Sequence, residues 1–129
     1  MYYNPIKMFI DYLRYREAVR KADQQHQETG ERYYVLPMYG TDKPKLFITD
    51  RQNFKVLKRK HYINKDAKVV DLINESFYFT AYRNGNGFLD AKGKRIKRLV
   101  YFTYCANTRN LHKQQKKLRK QKQKKDSFN

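Results

Sequence analysis

Residues 99–125, LVYFTYCANTRNLHKQQKKLRKQKQKK, contain neither proline nor glycine, open apolar and aromatic, and close on lysine, arginine and glutamine broken only by Leu118. Nothing in the run interrupts a helix, and at 1.5 Å per residue a helix from about Ala91 to Lys124 would be roughly 50 Å long. Ile96, Leu99, Val100, Thr103, Ala106 and Leu111 recur at three- and four-residue intervals, which predicts that this face of the first half is buried. Beyond Leu111 the apolar face shrinks to Leu118. From Arg109 onward, Arg109, Lys113, Lys116, Lys117, Lys120 and Lys124 fall on one side, with Arg119, Lys122 and Lys125 elsewhere. A helix of that length outruns a small domain, so its basic half is expected to project as an arm. The chain then divides into one domain over 1–111 and a basic helical arm over 112–129.

The length supports that division, because 129 residues suffice for one ordinary core and not for two. Twelve Tyr and eight Phe with no Trp mean that aromatics must carry much of the burial. No stretch approaches the roughly 20 apolar residues that span a bilayer. The opening MYYNPIKMFIDYLRYRE also lacks a charged segment followed by an uninterrupted apolar block. The expectation is a soluble, unsecreted protein without a membrane partner. A lone cysteine, Cys105, has no internal disulfide partner and fits a reducing compartment.

The charge is unevenly spread. Residues 1–50 hold eight Lys/Arg against seven Asp/Glu, whereas residues 51–129 hold twenty-two against five, so nearly all of the net +18 lies in the later part. Self-repulsion of that size opposes compaction unless an anionic partner or counterions screen it. Nucleic acid, DNA or RNA, is the commonest such partner. An acidic protein surface is the other.

From the N-terminus, Asn4-Pro5 reads as a helix start, with Asn as the cap and Pro in the first turn. Ile6, Phe9 and Leu13 make one apolar stripe of this helix, and Met8, Tyr12, Tyr15, Val19 and Ala22 an adjoining one. Its second half, from Arg20, is polar nearly all round and reads as exposed. Gly30 is the expected C-terminal cap. Two β-prone runs, 33–39 and 45–49, flank a Gly-Thr-Asp-Lys-Pro turn and predict a hairpin that must lie against helices. Pro37 lacks a donor, so the first strand should lie at an edge or be irregular.

Thr49 or Asp50 then caps a short helix over 51–60, with Phe54 and Leu57 inward and Arg51, Lys55, Lys58, Arg59 and Lys60 outward. A turn at Asn64-Lys65 and a second short helix over 69–75 follow. Two short helices around a tight turn have the outline of a helix-turn-helix. Against a DNA-reading role, the turn lacks Gly, the second helix carries Asp71 and Glu75, and the basic helix is the first. Phe77, Tyr78, Phe79 and Tyr82 form an aromatic cluster that reads as core, and Asn84-Gly85-Asn86-Gly87 reads as a tight turn or exposed loop. Tyr82 and Phe88, beside that loop, are the better candidates for stacking unpaired bases.

Catalysis finds little support. His26, His61, His112 and Cys105 show no metal-ligand spacing, and Cys105 reads as a buried structural cysteine. Asp42, Asp50, Asp66, Asp71, Glu75 and Asp90 lie mostly where caps and turns explain them, rather than converging as a nuclease would need. No catalytic residue, metal site or cofactor is expected.

Residues 34–80, YVLPMYGTDKPKLFITDRQNFKVLKRKHYINKDAKVVDLINESFYFT, together with YRNGNGF and the basic C-terminal helix, resemble short basic proteins of Bacteroides-type gut bacteria and their tailed phages, including crAss-like phages. The resemblance implies a bacterial cytoplasm or a phage virion as the setting and carries no catalytic or binding residues with it.

The expected fold is α+β and mostly helical: an N-terminal helix, a β-hairpin, two short helices and a long C-terminal helix. The expected function is non-catalytic nucleic-acid binding through phosphates. Its contacts would be the basic arm, residues 51–60 as named, and the cluster Lys92, Lys94, Arg95, Lys97 and Arg98; so many cations favour backbone over base edges. The alternative is a virion structural or adaptor protein whose basic face docks on an acidic protein.

Overall fold

The computed structural model describes residues 4–60, 66 and 68–127. It shows a mostly helical α+β chain built around a three-stranded antiparallel sheet. Helix α1 (Pro5–Thr29) starts where Asn4 accepts a 2.8 Å hydrogen bond from the Ile6 amide, and ends where Gly30, at φ 77°, returns its amide to the His26 carbonyl. The hairpin is β1 (Tyr33–Met38) with β2 (Lys45–Asp50), paired from Tyr33 opposite Asp50 to Met38 opposite Lys45. Helix α2 (Arg51–Arg59) follows at once, because the Asp50 carboxylate accepts from the Asn53 amide at 2.7 Å. Helix α3 (Val69–Glu75) leads into a short strand β3 (Tyr78–Phe79), and helix α4 spans Ala91–Ser127. Asp90 sets the start of α4 by accepting from the Gly93 amide.

The sheet order β2-β1-β3 puts β1 in the centre. Side chains alternate across it. Tyr33 and Val35, with Tyr78 of β3, meet Ala18 and Ala22 of α1 on one face. Tyr34 and Leu36, with Phe79, meet Phe54 of α2 and Leu72 of α3 on the other. A third cluster joins α4 to this frame through Tyr15, Phe77, Tyr101, Tyr104 and Cys105.

Four expectations are corrected. The first strand is central, not an edge, yet Pro37 is accommodated. Tyr33 and Val35 turn their backbone bonds toward β3, so Pro37 would too, and β3 pairs no further than Val35. Phe77, Tyr78 and Phe79 are core as expected, but Tyr82, read with them, is exposed, and Tyr78–Phe79 also form a strand because Tyr33 and Val35 leave backbone carbonyls that the Thr80 and Phe77 amides take up. In α1, Ile6, Phe9 and Leu13 are exposed, as are Met8 and Tyr12 of the adjoining stripe; Tyr15 and Ala22 of that stripe are buried as expected, on a line with Asp11 and Ala18. That line continues into the half expected to be exposed. In α4, Ile96, Leu99, Val100, Thr103 and Leu111 are exposed; of the predicted face only Ala106 is buried. The helix instead buries Tyr101, Tyr104 and Cys105. The turn expected at Asn64-Lys65 lies outside the described residues.

Both reversals have one physical cause. Asp11 has no exposed surface, and Arg109 donates Nε and Nη2 to its two carboxylate oxygens at 3.0 and 2.6 Å. Tyr101 donates its hydroxyl to the Asp11 carbonyl at 2.5 Å. Tyrosine, aspartate and arginine score as polar, yet together they form the buried seam between α1 and α4.

Removing one partner of a buried ion pair leaves an uncompensated charge, at a cost of about 3–5 kcal/mol. Arg14 Nη1, 3.9 Å from the Asp11 carboxylate, would compensate part of it, so Arg109→Met should lower stability by up to about 3 kcal/mol in urea unfolding. Asp11→Asn introduced into the same chain should recover part of that loss; a purely additive double variant would show that the pair is not coupled.

Candidate nucleic-acid interface

The cations singled out by sequence separate by environment. On α2, Arg51, Lys55 and Arg59 are exposed, Lys60 is exposed at the C-terminal cap, and Lys58 is half-buried. At the start of α4, Lys92, Lys94, Arg95 and Arg98 are exposed. Lys113, Lys116, Lys117, Lys120 and Lys124 are exposed too, as is every side chain from 113 to 125. Arg95 and Lys113 are 18 residues apart, which is five turns at 3.6 residues per turn, so they share one side of α4.

Two of the candidates do other work. Arg109 holds Asp11. Lys97 donates its ammonium to the Ile73 and Ser76 carbonyls, each at 2.7 Å, and so secures the C-terminal end of α3. Burial pulls the Lys97 ammonium below its ordinary range. A phosphate contact would have to break these bonds.

The structure also assembles cationic and aromatic groups that the sequence left apart. Arg32, just before β1, is buried and stacked between Phe79, 4.2 Å from its ring centre, and Tyr82, at 4.0 Å. Its Nε donates to the Thr80 carbonyl at 2.9 Å and its Nη2 to the Gly87 carbonyl at 2.5 Å. Gly87 is required there: φ is 73°, and a Cβ would come within 2.9 Å of the Tyr82 ring. Arg32, Tyr34, Arg51, Lys55, Tyr82 and Arg83 line a cavity of about 680 Å³. Arg83 pairs with Glu31 at its edge. Burial raises the Tyr34 hydroxyl above its usual range, opposed by the nearby Arg32 and Arg51. The available sequence signal for this site was a single arginine before an otherwise apolar strand, with Tyr34 two residues on; the two rings that stack on it, Phe79 and Tyr82, come from 45 or more residues away in the chain.

Of the two stacking candidates, Phe88 is more exposed than Tyr82, but only Tyr82 lines the cavity. His112 lies 3.5 Å from Asp42, and the His26 Nδ1 lies 2.7 Å from the Glu31 carbonyl; His61 lies outside the described residues. Asp71 accepts from the Lys68 amide. Among the described residues no group of three His, Cys, Asp or Glu could hold a metal ion, and no helix is long and apolar enough to cross a membrane.

Comparison with protein-family models, curated proteins and solved structures found no match.

Burial pushes the Cys105 thiol up to about 12 from 9, and the Tyr15 hydroxyl up to about 12 from 10. Both groups keep their protons longer in the folded chain than in the unfolded one, so they stabilise the fold below pH 9 and lose that contribution as pH rises toward 12. The urea midpoint should be flat up to about pH 8.5 and fall steadily above pH 9. At pH 8 the thiol should react with a disulfide reagent only after denaturant is added; prompt reaction in native buffer would contradict its burial.

Proposed function

We propose that this protein binds nucleic acid without catalysis, holding phosphates with the basic second half of α4 and the adjoining exposed cations. The observation that carries the reading is the concentration of charge: residues 51–129 hold twenty-two Lys/Arg against five acids, and those on residues 113–125 are exposed. Like charges three and four residues apart destabilise a helix. A polyanion reverses that repulsion, and counterion release then supplies much of the binding free energy. Arg51, Lys55, Arg59, Lys92, Lys94, Arg95 and Arg98 extend the same field, with Lys97 and Arg109 reserved for the fold. The proposed setting is a bacterial cytoplasm or a phage virion.

A second reading, a structural or adaptor protein docked on an acidic protein, draws support from α1. Ile6, Phe9, Ile10 and Leu13 recur at helical spacing and are exposed on the side opposite Asp11 and Tyr15, as a protein-contacting helix would be. Nucleic acid should displace such a partner only if the basic face serves both.

Affinity for duplex DNA should fall with salt at a log–log slope of about −0.9 per phosphate neutralised. Binding retained with a slope near zero would refute the proposal. Deleting residues 113–129 removes eight Lys/Arg and one Asp, lowering the net charge from +18 to +11. That variant should stay folded and lose most of its affinity. Full affinity after deletion would move the interface to α2 and the start of α4. Changing Lys55, Lys58 and Arg59 together to Ala should weaken binding alike for every sequence tested; selective loss at one base position would favour base readout.

A further inference from the structure

Arg32 is more than nine-tenths buried, yet neither of its hydrogen bonds goes to a carboxylate, and it forms no ion pair among the described residues. Charges taken out of water are ordinarily matched by an opposite charge, as Arg109 is matched by Asp11. Two carbonyl dipoles and the faces of Phe79 and Tyr82 offset part of the cost but leave a full positive charge at the wall of a cavity of about 680 Å³. Arg51 and Lys55 stand at the same cavity, four residues apart and therefore on one side of α2. Neither side chain forms a hydrogen bond or ion pair among the described residues. Glu31 is paired with Arg83, and the Asp50 carboxylate accepts from the Asn53 amide but keeps its charge. Four cations (Arg32, Arg51, Lys55, Arg83) against two carboxylates leave the lining with a net positive charge of two and room for an anion.

The rim narrows what the anion belongs to. Tyr82 is 47 % exposed although the Arg32 guanidinium lies over its ring, so the ring keeps surface on which a planar group can stack. A phosphate among arginines beside an exposed aromatic ring is the chemistry that receives a nucleotide. The volume suits one.

We propose that this cavity seats one nucleotide of an unpaired strand, its phosphate held by Arg32, Arg51 and Lys55 and its base stacked on Tyr82. The inference rests on the nucleic-acid reading and sharpens it: the arm neutralises backbone of any kind, whereas the cavity discriminates. A base inside a duplex is paired and stacked on its neighbours, and reaches Tyr82 only after it is extruded. Single strand is therefore the preferred ligand.

The full chain is titrated with a fluorescent oligothymidylate and with a hairpin duplex of the same charge, as wild type, Tyr82→Leu, Tyr82→Phe and Arg51→Gln, each first checked for an unchanged thermal midpoint. Tyr82→Leu should weaken single-strand binding about tenfold, as loss of one base–aromatic stack does. Tyr82→Phe should bind as wild type, and the duplex affinity should not respond to either change. Arg51→Gln, at an exposed helix position, should weaken single strand more than duplex and stands in should Tyr82→Leu fail to fold. Wild-type binding of both ligands, with Tyr82→Leu or Arg51→Gln affecting the two equally or not at all, overturns the cavity assignment and leaves the arm as the binding element. Binding of neither ligand by wild type overturns the nucleic-acid reading and the cavity assignment together.

Discussion

Asp11 sits in α1 with no exposed surface, and its two carboxylate oxygens take hydrogen bonds from Arg109, a residue 98 positions later, whose side chain is 14 % exposed. Burying two ions costs several kcal/mol each before their attraction is counted, so the pair persists only where charge and geometry match. A forked guanidinium on a carboxylate matches both. That geometry fixes the rotation and the axial position of α4 against α1 at once, since a slip of one turn would leave Arg109 without its carboxylate and Asp11 with only Arg14, 3.9 Å away on its own helix. Tyr101, two turns earlier on α4, adds its hydroxyl to the Asp11 carbonyl. The remainder of α4 continues from this anchor, and from residue 113 to 125 it is exposed.

The same logic governs the aromatic core. Tyrosine brings a large apolar ring and one polar tip, and a buried tip needs a partner. Tyr15 donates to the Phe77 carbonyl at 3.1 Å, and Tyr78 to the Asp23 carboxylate at 2.6 Å. Tyr104 donates to the Met38 carbonyl at 2.5 Å and accepts from the Lys45 amide at 3.3 Å, closing the mouth of the hairpin. Each bond orients a ring as well as satisfying a hydroxyl. Tyrosines therefore choose the faces of α1 and α4 that turn inward, and the aliphatic residues between them stay outside.

Cations are sorted by the same demand. Arg109 is neutralised by a carboxylate, whereas Lys97 is held by two carbonyls at the end of α3 and Arg32 by carbonyls and ring faces, none of which cancels a charge. Residue type cannot distinguish these from the solvated lysines of α4, because the distinction lies in what the rest of the chain brings to each side chain. A net charge is legible in composition. The field that a ligand meets depends on which charges remain uncancelled at the surface.

Local signals were strong enough to be read from the sequence. Asn4-Pro5 and Gly30 bound α1, Asp50 starts α2, the Gly-Thr-Asp-Lys-Pro run joins β1 to β2, and α4 has no breaker to stop it; each works through backbone bonds or dihedral limits within a few residues. The charge asymmetry and the exposure of residues 113–125 follow equally from local composition. Tertiary structure alone decided which faces are buried: Asp11, Tyr101 and Arg109 look polar until each meets its partner across 90 or more residues, whereas Ile6, Phe9, Leu99 and Leu111 look buried and are not. It alone made β1 central, by laying Tyr78–Phe79 against its free edge, and it alone drew Arg32, Arg51, Lys55 and Tyr82 around one cavity. Hydropathy ranks each residue by its own affinity for water, and a buried polar group is tolerated only through a partner that the local sequence does not contain.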